Sequence, residues 1–179
     1  MSGHNKWSKI KNKKAVTDAQ KSKIFSKLVK LIQNEAKKCG GDTSSPGLRV
    51  AIEKARKENM PSDNIDRAIK KASESSSTMI DVIFECYGPA GVGIVVKALT
   101  DNNNRTNAEI KHILSKNGGS LGAQGSVMWN FSKNEDGDLI PNTTMDIDDE
   151  TGEKLADFIE KLEDQDDVTN VYSTADTPE

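Results

Sequence analysis

The fold is decided where the hydrophobic period of the chain changes, in the stretch AIKKASESSSTMIDVIFECYGPAGVGIVVKALT (68–100). On its N-terminal side apolar residues recur every three or four positions, which predicts helices with one buried face. On its C-terminal side they form strand-like runs. The intervening SESSST (73–78) contains no apolar residue and is typical of a linker. We therefore predict a helical unit followed by a unit of strands and helices.

Three amphipathic helices are expected before the linker, at about 18–38, 48–58 and 63–72. Thr17 or Asp18 is the expected cap of the first helix, and Ser62 that of the third. Three short helices with one apolar face each are typical of a small bundle. Residues 1–16 precede them as a basic arm.

The residues after the linker predict alternating strands and helices. We expect helices at 104–117 and 148–162. The strands are expected at 80–87, 92–100, 126–132, 139–147 and 168–173. In the strand at 126–132, Val127, Trp129 and Phe131 are expected on one face. This order is typical of a ferredoxin-like, split β-α-β domain. The predicted fold class is α+β, with a three-helix bundle in domain 1–76 and the ferredoxin-like domain at 77–179.

Charge is distributed unevenly along the 179 residues, although the net charge is only −3. Residues 1–72 carry 18 Lys and Arg against 7 Asp and Glu, whereas residues 135–179 carry 2 against 16. The residues between them are balanced. Such polarity indicates that the basic end contacts a polyanion.

The basic N-terminal third supplies the candidate nucleic-acid contacts. Lysines there neutralise phosphates and release counterions, and an interleaved Trp stacks on a base. A solvated lysine face is the alternative. Arg105 follows a strand-to-helix junction where an anion could bind, with helix capping by one of residues 101–104 as the alternative. The candidates are His4, Lys6, Trp7, Lys9, Lys11, Lys13, Lys14, Lys21, Lys23, Lys27 and Arg105.

Catalytic and metal sites are not indicated by the sequence. His4 and His112 have no ligands at metal spacing, and no nucleophile elbow or phosphate loop is present. Cys39 and Cys86 lack a CxxC partner and are expected to be reduced thiols. We expect no cofactor, no metal and no enzymatic activity. No apolar run is long enough to span a membrane, so a soluble, cytoplasmic protein is expected.

Several long motifs resemble those of the YebC/PmpR family, which includes the mitochondrial translational activator of cytochrome c oxidase. These motifs are GHNKWSKIKNKK (3–14), IFSKLVKLI (24–32), NMPSDNIDRAIKKA (59–72), YGPAGVGIVVKALTDNNNRTNAEIKHILSKNGGSLGAQGSVMWNF (87–131) and LEDQDDVTNVYS (162–173). The resemblance implies a three-helix N-terminal domain with α/β domains behind it, and no catalytic residues. It also implies a candidate contact loop at Asn59, Met60 and Pro61.

One departure from the family concerns length. Members of the family that this chain resembles are usually longer by an α/β domain. That domain is inserted after the strand that here ends near Phe131. Asn134 to Gly137 stands in that place, and we expect a tight turn there. Activities that reside in that domain are therefore not expected of this chain.

The predicted function is regulation of gene expression through nucleic-acid binding. Family names favour DNA-binding transcriptional regulation, whereas the absence of a clear helix-turn-helix pattern favours ribosomal or transfer RNA and the ribosome. A protein-interaction adaptor that works through the acidic residues 148–167 is the alternative from another class. A monomer is slightly favoured, because no dimer seam is visible in the sequence.

Overall fold

The computed structural model describes residues 17–74 and 78–176. They form two compact units, and the boundary between them along the chain lies between Ile80 and Asp81. The first unit is helical, the second contains strands and helices, and each has its own buried apolar core.

The helical unit is a three-helix bundle of α1 (Asp18–Lys38), α2 (Pro46–Lys57) and α3 (Ser62–Ala72). Helix α1 packs against both α2 and α3. Apolar residues spaced three and four apart turn one stripe of each helix inward. The buried core is formed by Ile32, Ala36, Leu48, Ala51, Ile52, Ala55, Met60, Ile65, Ala68 and Ala72.

The helix starts confirm one predicted cap and correct another. The Oγ1 of Thr17 accepts a hydrogen bond from the Gln20 amide at 3.3 Å, and the Gln20 side chain accepts one from the Thr17 amide at 2.9 Å. This capping box confirms a cap at Thr17. The predicted Ser62 cap is wrong, because α3 already begins at Ser62 and its N-cap is Pro61, without a side-chain cap. Helix α2 begins at Pro46, two residues earlier than predicted, because proline fits the first helical turn.

The second unit contains eight strands and two α-helices among the residues described. Helix α4 spans Asn103–Lys116 and helix α5 spans Asp149–Glu163. The strands are β1 (Ile80–Tyr87), β2 (Gly93–Thr100), β3 (Ser120–Leu121), β4 (Phe131–Lys133), β5 (Leu139–Pro141), β6 (Met145–Asp146), β7 (Val168–Ser173) and β8 (Ala175–Asp176).

The main sheet has the strand order β3-β1-β2-β7, with β3 antiparallel to β1 and β7 antiparallel to β2. Strand β1 lies between β2 and β3, the two strands that α4 connects, which is a split β-α-β arrangement. Strands β4 and β5 form a separate hairpin, and β6 pairs with β8. The bundle and this mixed unit confirm the predicted α+β class.

Both faces of the sheet are covered. Ile94, Val96 and Ala98 on alternate positions of β2 pack in one core with α4 and α5. Val95 points to the other face, where it packs with Phe131 and Leu139 of the β4–β5 hairpin. The sheet therefore separates a layer of helices from a layer formed by the hairpin and the loop before it.

The strand predicted at 126–132 is wrong. Residues 122–127 form loop and turns, Met128–Asn130 is a 3-10 helix, and only Phe131 begins a strand. Trp129, expected on the same face as Val127 and Phe131, is 71% exposed, whereas those two residues are buried. On the side of β1 away from β2, the neighbouring strand is β3, at Ser120–Leu121. The backbone amides of this loop bond to a buried carboxylate, so they are not free to form a sheet ladder.

The strand predicted at 139–147 is divided into β5 and β6. Asn130 explains part of the break: its Nδ2 donates to the Thr143 carbonyl at 2.7 Å, and its Oδ1 accepts from the Thr143 amide at 2.9 Å. Between β4 and β5 the chain turns tightly, with the Gly137 amide donating to the Asn134 carbonyl at 3.0 Å and Gly137 at φ +79°.

Candidate nucleic-acid interface

The helical unit has an excess of cationic side chains on its exterior. Residues 17–74 carry 13 Lys and Arg against 8 Asp and Glu. On α1, Lys23, Lys27 and Lys30 follow one another at four- and three-residue spacing, so they share a side of the helix. That side is opposite the one that buries Ile32 and Ala36 in the core. Lys21 is exposed in the first turn.

Helices α2 and α3 continue this cationic exterior. Each turns its buried stripe inward, so its basic residues are left on the outside. The exposed ones are Arg49, Arg56, Lys57, Arg67, Lys70 and Lys71. We call these six residues, together with Lys21, Lys23, Lys27 and Lys30 of α1, the basic face. Exposed carboxylates interrupt it, notably those of Glu53, Asp63 and Asp66.

The loop between α2 and α3 is short and tightly bonded. Asn59 is exposed at φ +59°, a left-handed conformation that Asn tolerates better than most residues. The Met60 amide donates to the Ala55 carbonyl at 3.0 Å, and the Met60 side chain is only 5% exposed in the bundle core. Of the three residues of the candidate contact loop, the structure thus makes Met60 a core residue and leaves Asn59 and Pro61 at the surface.

The arm residues fall outside the part of the chain that the structure describes. These are His4, Lys6, Trp7, Lys9, Lys11, Lys13 and Lys14. Among the candidates the structure places Lys21, Lys23 and Lys27 on α1, where Lys23 and Lys27 share a side and Lys21 does not, and it places Arg105 in the other unit.

Arg105 is occupied by contacts within the second unit. Its Nη2 lies 3.0 Å from Asp101 Oδ1 and 3.0 Å from Asp167 Oδ2. The Asn102 Oδ1 accepts from the Arg105 amide at 3.1 Å, which makes Asn102 the N-cap of α4. The predicted alternative, helix capping within residues 101–104, is confirmed.

A buried polar cluster surrounds Asp167, which is 5% exposed. Its Oδ2 accepts from Thr106 Oγ1 at 2.8 Å and from Gln165 Nε2 at 3.2 Å, in addition to Arg105. Burial opposes ionisation, but these hydrogen bonds outweigh it and lower the pKa of Asp167. The cluster joins the start of α4 to the connection between α5 and β7.

Replacing Asp167 with Ala is expected to lower the free energy of unfolding by about 2–4 kcal/mol, because several hydrogen bonds to a buried charge are lost. Urea denaturation at neutral pH measures this change. Asp101→Ala is the matched control: Asp101 binds the same guanidinium but its side chain is 54% exposed, so we expect less than about 1 kcal/mol. Equal losses for the two variants would contradict the role assigned to the buried cluster.

Glu85 is a second buried carboxylate, at 8% exposure on the sheet face opposite the helices. Its Oε1 accepts from the Gly125 amide at 2.6 Å, and its Oε2 accepts from the amides of Val127 and Met128 at 2.7 Å each. Burial raises the pKa of Glu85, but the three backbone donors outweigh this effect and hold it below the ordinary value. Sequence reasoning missed this residue. The available signal was one acidic residue among the apolar and aromatic residues of FECY (84–87).

No helix in the described part of the chain has the length and apolar character needed to span a membrane. Within ranges 17–74 and 78–176, no three or more His, Cys, Asp and Glu side chains are grouped so that they could hold a metal ion.

Matches to protein-family models cover nearly the whole chain. Residues 5–75 match the model described as the TACO1/YebC protein N-terminal domain. The model described as the TACO1/YebC second and third domain matches in two segments, 79–136 and 133–175. The two segments meet at the turn between β4 and β5.

Individual relatives and one solved structure agree with this match. A "Probable transcriptional regulatory protein" of Syntrophus aciditrophicus (strain SB) is 38% identical over 242 aligned positions, covering 100% of this chain and 97% of the relative. One of the same name from Trichlorobacter lovleyi is 43% identical over 176, covering 97% and 70%. The crystal structure of a conserved hypothetical protein, Aq1575 of Aquifex aeolicus, superposes with a TM-score of 0.81 at 32% identity, covering 97% of this chain and 98% of that one.

The names of the curated relatives describe regulators and not enzymes. The two domain models together match residues throughout both units of the structure. On these matches the chain belongs to the TACO1/YebC family.

Proposed function

We propose that this chain regulates gene expression by binding nucleic acid, as a DNA-binding transcriptional regulator without enzymatic activity. The observation that carries the proposal is the separation of charge between the two units. Residues 17–74 have 13 basic and 8 acidic side chains, whereas residues 81–176 have 7 and 19. A polyanion is attracted to the first unit and repelled by the second. The names of the relatives support the transcriptional role.

The proposed contacts are mostly with phosphate. Lysines of the arm (Lys6, Lys9, Lys11, Lys13 and Lys14) and of α1 (Lys21, Lys23 and Lys27) neutralise the backbone, and the counterions they release drive binding. His4 and Trp7 add contacts from the arm, and Asn59 and Pro61 from the loop after α2. Arg105 is proposed to position the start of α4, since its guanidinium joins Asp101 there to Asp167 in the connection between α5 and β7.

RNA on the ribosome is the second candidate target, and one feature of α3 favours it. Helix α3 follows α2 after a four-residue connection, the place of the recognition helix in a helix-turn-helix protein. Its exposed side chains include the carboxylates of Asp63 and Asp66 near Arg67. These two carboxylates lie in the N-terminal half of α3, the part of a recognition helix that contacts base edges, and they disfavour its insertion into a DNA major groove. Contacts with RNA backbone and unpaired bases do not require such insertion.

For the domain organisation, we propose a basic arm and bundle in residues 1–76 and a ferredoxin-like domain in residues 77–179. We also propose that the tight turn at 134–137 replaces a domain that longer relatives insert there. Two findings support the replacement. The family model matches in two segments that meet at 133–136, and the Syntrophus alignment spans 242 positions although this chain has 179 residues.

The adaptor hypothesis assigns the working surface to residues 148–167. Asp149, Glu153, Asp157 and Glu160 of α5 follow one another at helical spacing and form an acidic stripe. Neutralising this stripe separates the two proposals. Loss of nucleic-acid or ribosome association from that change alone would favour the adaptor.

Fluorescence anisotropy with the full chain tests the target. The probes are a labelled 30-base-pair duplex DNA, a single-stranded RNA of equal length and unmodified transfer RNA, each measured between 50 and 250 mM salt. We expect affinity to fall steeply with salt for every probe that binds. Tighter binding to DNA at 150 mM salt supports the transcriptional version, and tighter binding to RNA supports the ribosomal one. Binding that does not respond to salt, or no binding, would reject the basic-face mechanism.

A further inference from the structure

The second unit presents a large aromatic side chain to solvent. Trp129 is 71% exposed, more than any other large apolar side chain that the structure describes as exposed. Tryptophan combines a large apolar area with few rotatable bonds, and it is enriched among the residues that dominate binding energy at protein interfaces. We propose that the segment 122–130, which we call the Trp129 loop, is a docking site for a basic protein partner. This site lies in the second unit, whereas the basic face lies in the helical unit.

The Trp129 loop is held in place before any partner binds. The carboxylate of Glu85, on strand β1 below the loop, accepts hydrogen bonds from three backbone amides of the loop at 2.6–2.7 Å. The indole Nε1 of Trp129 donates to the Ser126 carbonyl at 2.9 Å, which fixes the ring against its own loop. Asn130 exchanges two hydrogen bonds with the backbone of Thr143. A side chain fixed in this way loses little freedom on binding, so more of the contact energy appears as affinity.

Further apolar surface lies on the hairpin that follows the loop. Ile140 of β5 is 50% exposed and stands opposite the exposed Ser132 of β4. The Asn142 amide donates to the Asn130 carbonyl at 2.7 Å, so the end of β5 runs beside the end of the Trp129 loop. The site thus offers one dominant aromatic anchor with a smaller aliphatic contact on the adjoining hairpin.

The charges of this unit decide the chemistry of the partner. Glu135 and Asp136 are exposed in the turn of the hairpin, and Asp146 is exposed three residues beyond Thr143. Lys133 is the basic residue of β4. With 19 acidic and 7 basic side chains in residues 81–176, the unit repels a phosphate backbone and attracts a basic surface. A twofold dimer through this face would bring the same acidic residues together, which argues against a second copy of the chain.

The matches to relatives indicate that the occupant is protein. The family model breaks between β4 and β5, at 133–136, and the alignment with the Syntrophus relative is longer than this chain. On the domain replacement proposed above, the additional polypeptide of the longer relatives connects to the hairpin that adjoins the Trp129 loop. Here the same hairpin closes in a tight turn, so a separate protein has access to its outer side.

The test selects ligands for the full chain from a displayed library of random 12-residue peptides. We expect the selected peptides to combine Lys or Arg with at least one large apolar residue. A synthetic peptide of the selected sequence is then titrated by calorimetry. Trp129→Ala is expected to reduce its affinity 10-fold or more, and Trp129→Phe to restore part of it. Ile80→Ala is the matched control, because Ile80 is 43% exposed at the start of β1, on the alternate positions that face away from the Trp129 loop, and it should leave the affinity unchanged.

Three results would overturn the proposal. The first is a selection that returns peptides without basic residues, or peptides that bind the Trp129→Ala variant equally well. The second is a 12-nucleotide single-stranded DNA that binds with an affinity lowered by Trp129→Ala, since the loop would then be a base-stacking surface. The third is self-association in sedimentation velocity that Trp129→Ala abolishes, since the occupant would then be a second copy.

Discussion

Replacing Lys9, Lys11, Lys13 and Lys14 with Ala is expected to weaken nucleic-acid binding roughly 10²- to 10³-fold at about 0.15 M salt. Each lysine that neutralises a phosphate releases counterions, and each such contact is worth about a factor of five at that ionic strength. The same change should make the salt dependence shallower, reducing the slope of log K against log salt by about 3.6 for duplex DNA. Fluorescence anisotropy at several salt concentrations measures both quantities.

The matched control removes four positive charges from the second unit. Lys111, Lys116, Lys133 and Lys154 are all exposed, and their replacement with Ala changes the net charge by the same amount. We expect this variant to bind within about threefold of the unchanged protein, because only lysines near the phosphates contribute fully at this ionic strength. Equal weakening by the two sets would show that binding follows total charge, and an unchanged salt slope in the arm variant would rule out phosphate contacts by the arm.

Replacing Glu85 with Ala is expected to lower the free energy of unfolding by about 3–5 kcal/mol. Three backbone amides lose their acceptor, and each buried polar group left unsatisfied costs about 1–3 kcal/mol before relaxation. Glu85→Gln keeps one acceptor oxygen but places an amide donor against other donors, so we expect an intermediate loss. Urea denaturation gives the free energies, and hydrogen exchange of the amides of Gly125, Val127 and Met128 shows whether the loss is local.

Acidification provides an independent check on Glu85. Its pKa is lower in the folded protein than in the unfolded chain, so the stability it contributes is present above the unfolded value of about 4.3. That stability is lost as the pH falls through the lower, folded value. The difference in unfolding free energy between the unchanged protein and Glu85→Gln should therefore be constant near neutrality and shrink below about pH 4. Glu135→Ala, on the exposed hairpin turn, should change stability by less than about 0.5 kcal/mol. A Glu85→Ala variant as stable as Glu135→Ala would contradict the anchoring role.

The helices were the easiest part of the fold to predict. Their apolar stripes and their capping and breaking residues are local in sequence, and local signals act over one or two turns. Thr17 illustrates this, since it is the N-cap of α1. The errors at Ser62 and Pro46 concern one or two residues at a helix start, where a proline sets the boundary.

The region from 118 to 147 was the hardest part to predict. The alternation of Val127, Trp129 and Phe131 is strand-like in sequence, but the amides of this segment bond to Glu85, about 40 residues earlier. A hydrogen-bond acceptor so distant along the chain leaves no periodic signal near its donors. For the same reason the alternation grouped Trp129 with Val127 and Phe131 on one face, whereas the tertiary structure buries those two and puts Trp129 at the surface.

The candidate site divides in the same way. The excess of basic residues in the helical unit and the acidity of the second unit can be counted from the sequence, because charge does not depend on partners. Whether a given side chain is available does depend on them. Met60 is buried by the bundle and Arg105 joins Asp101 and Asp167, two carboxylates that lie 66 positions apart in the numbering.

By itself, the sequence determined the family, the α+β class, the helical bundle and the segregation of charge. All of these follow from composition, periodicity or motifs within short windows. Only the tertiary structure decided that Glu85 and Asp167 are buried anchors and that Trp129 is presented on a fixed loop. These facts depend on hydrogen bonds between residues 40 to 62 positions apart, and such contacts exist only once the chain has folded.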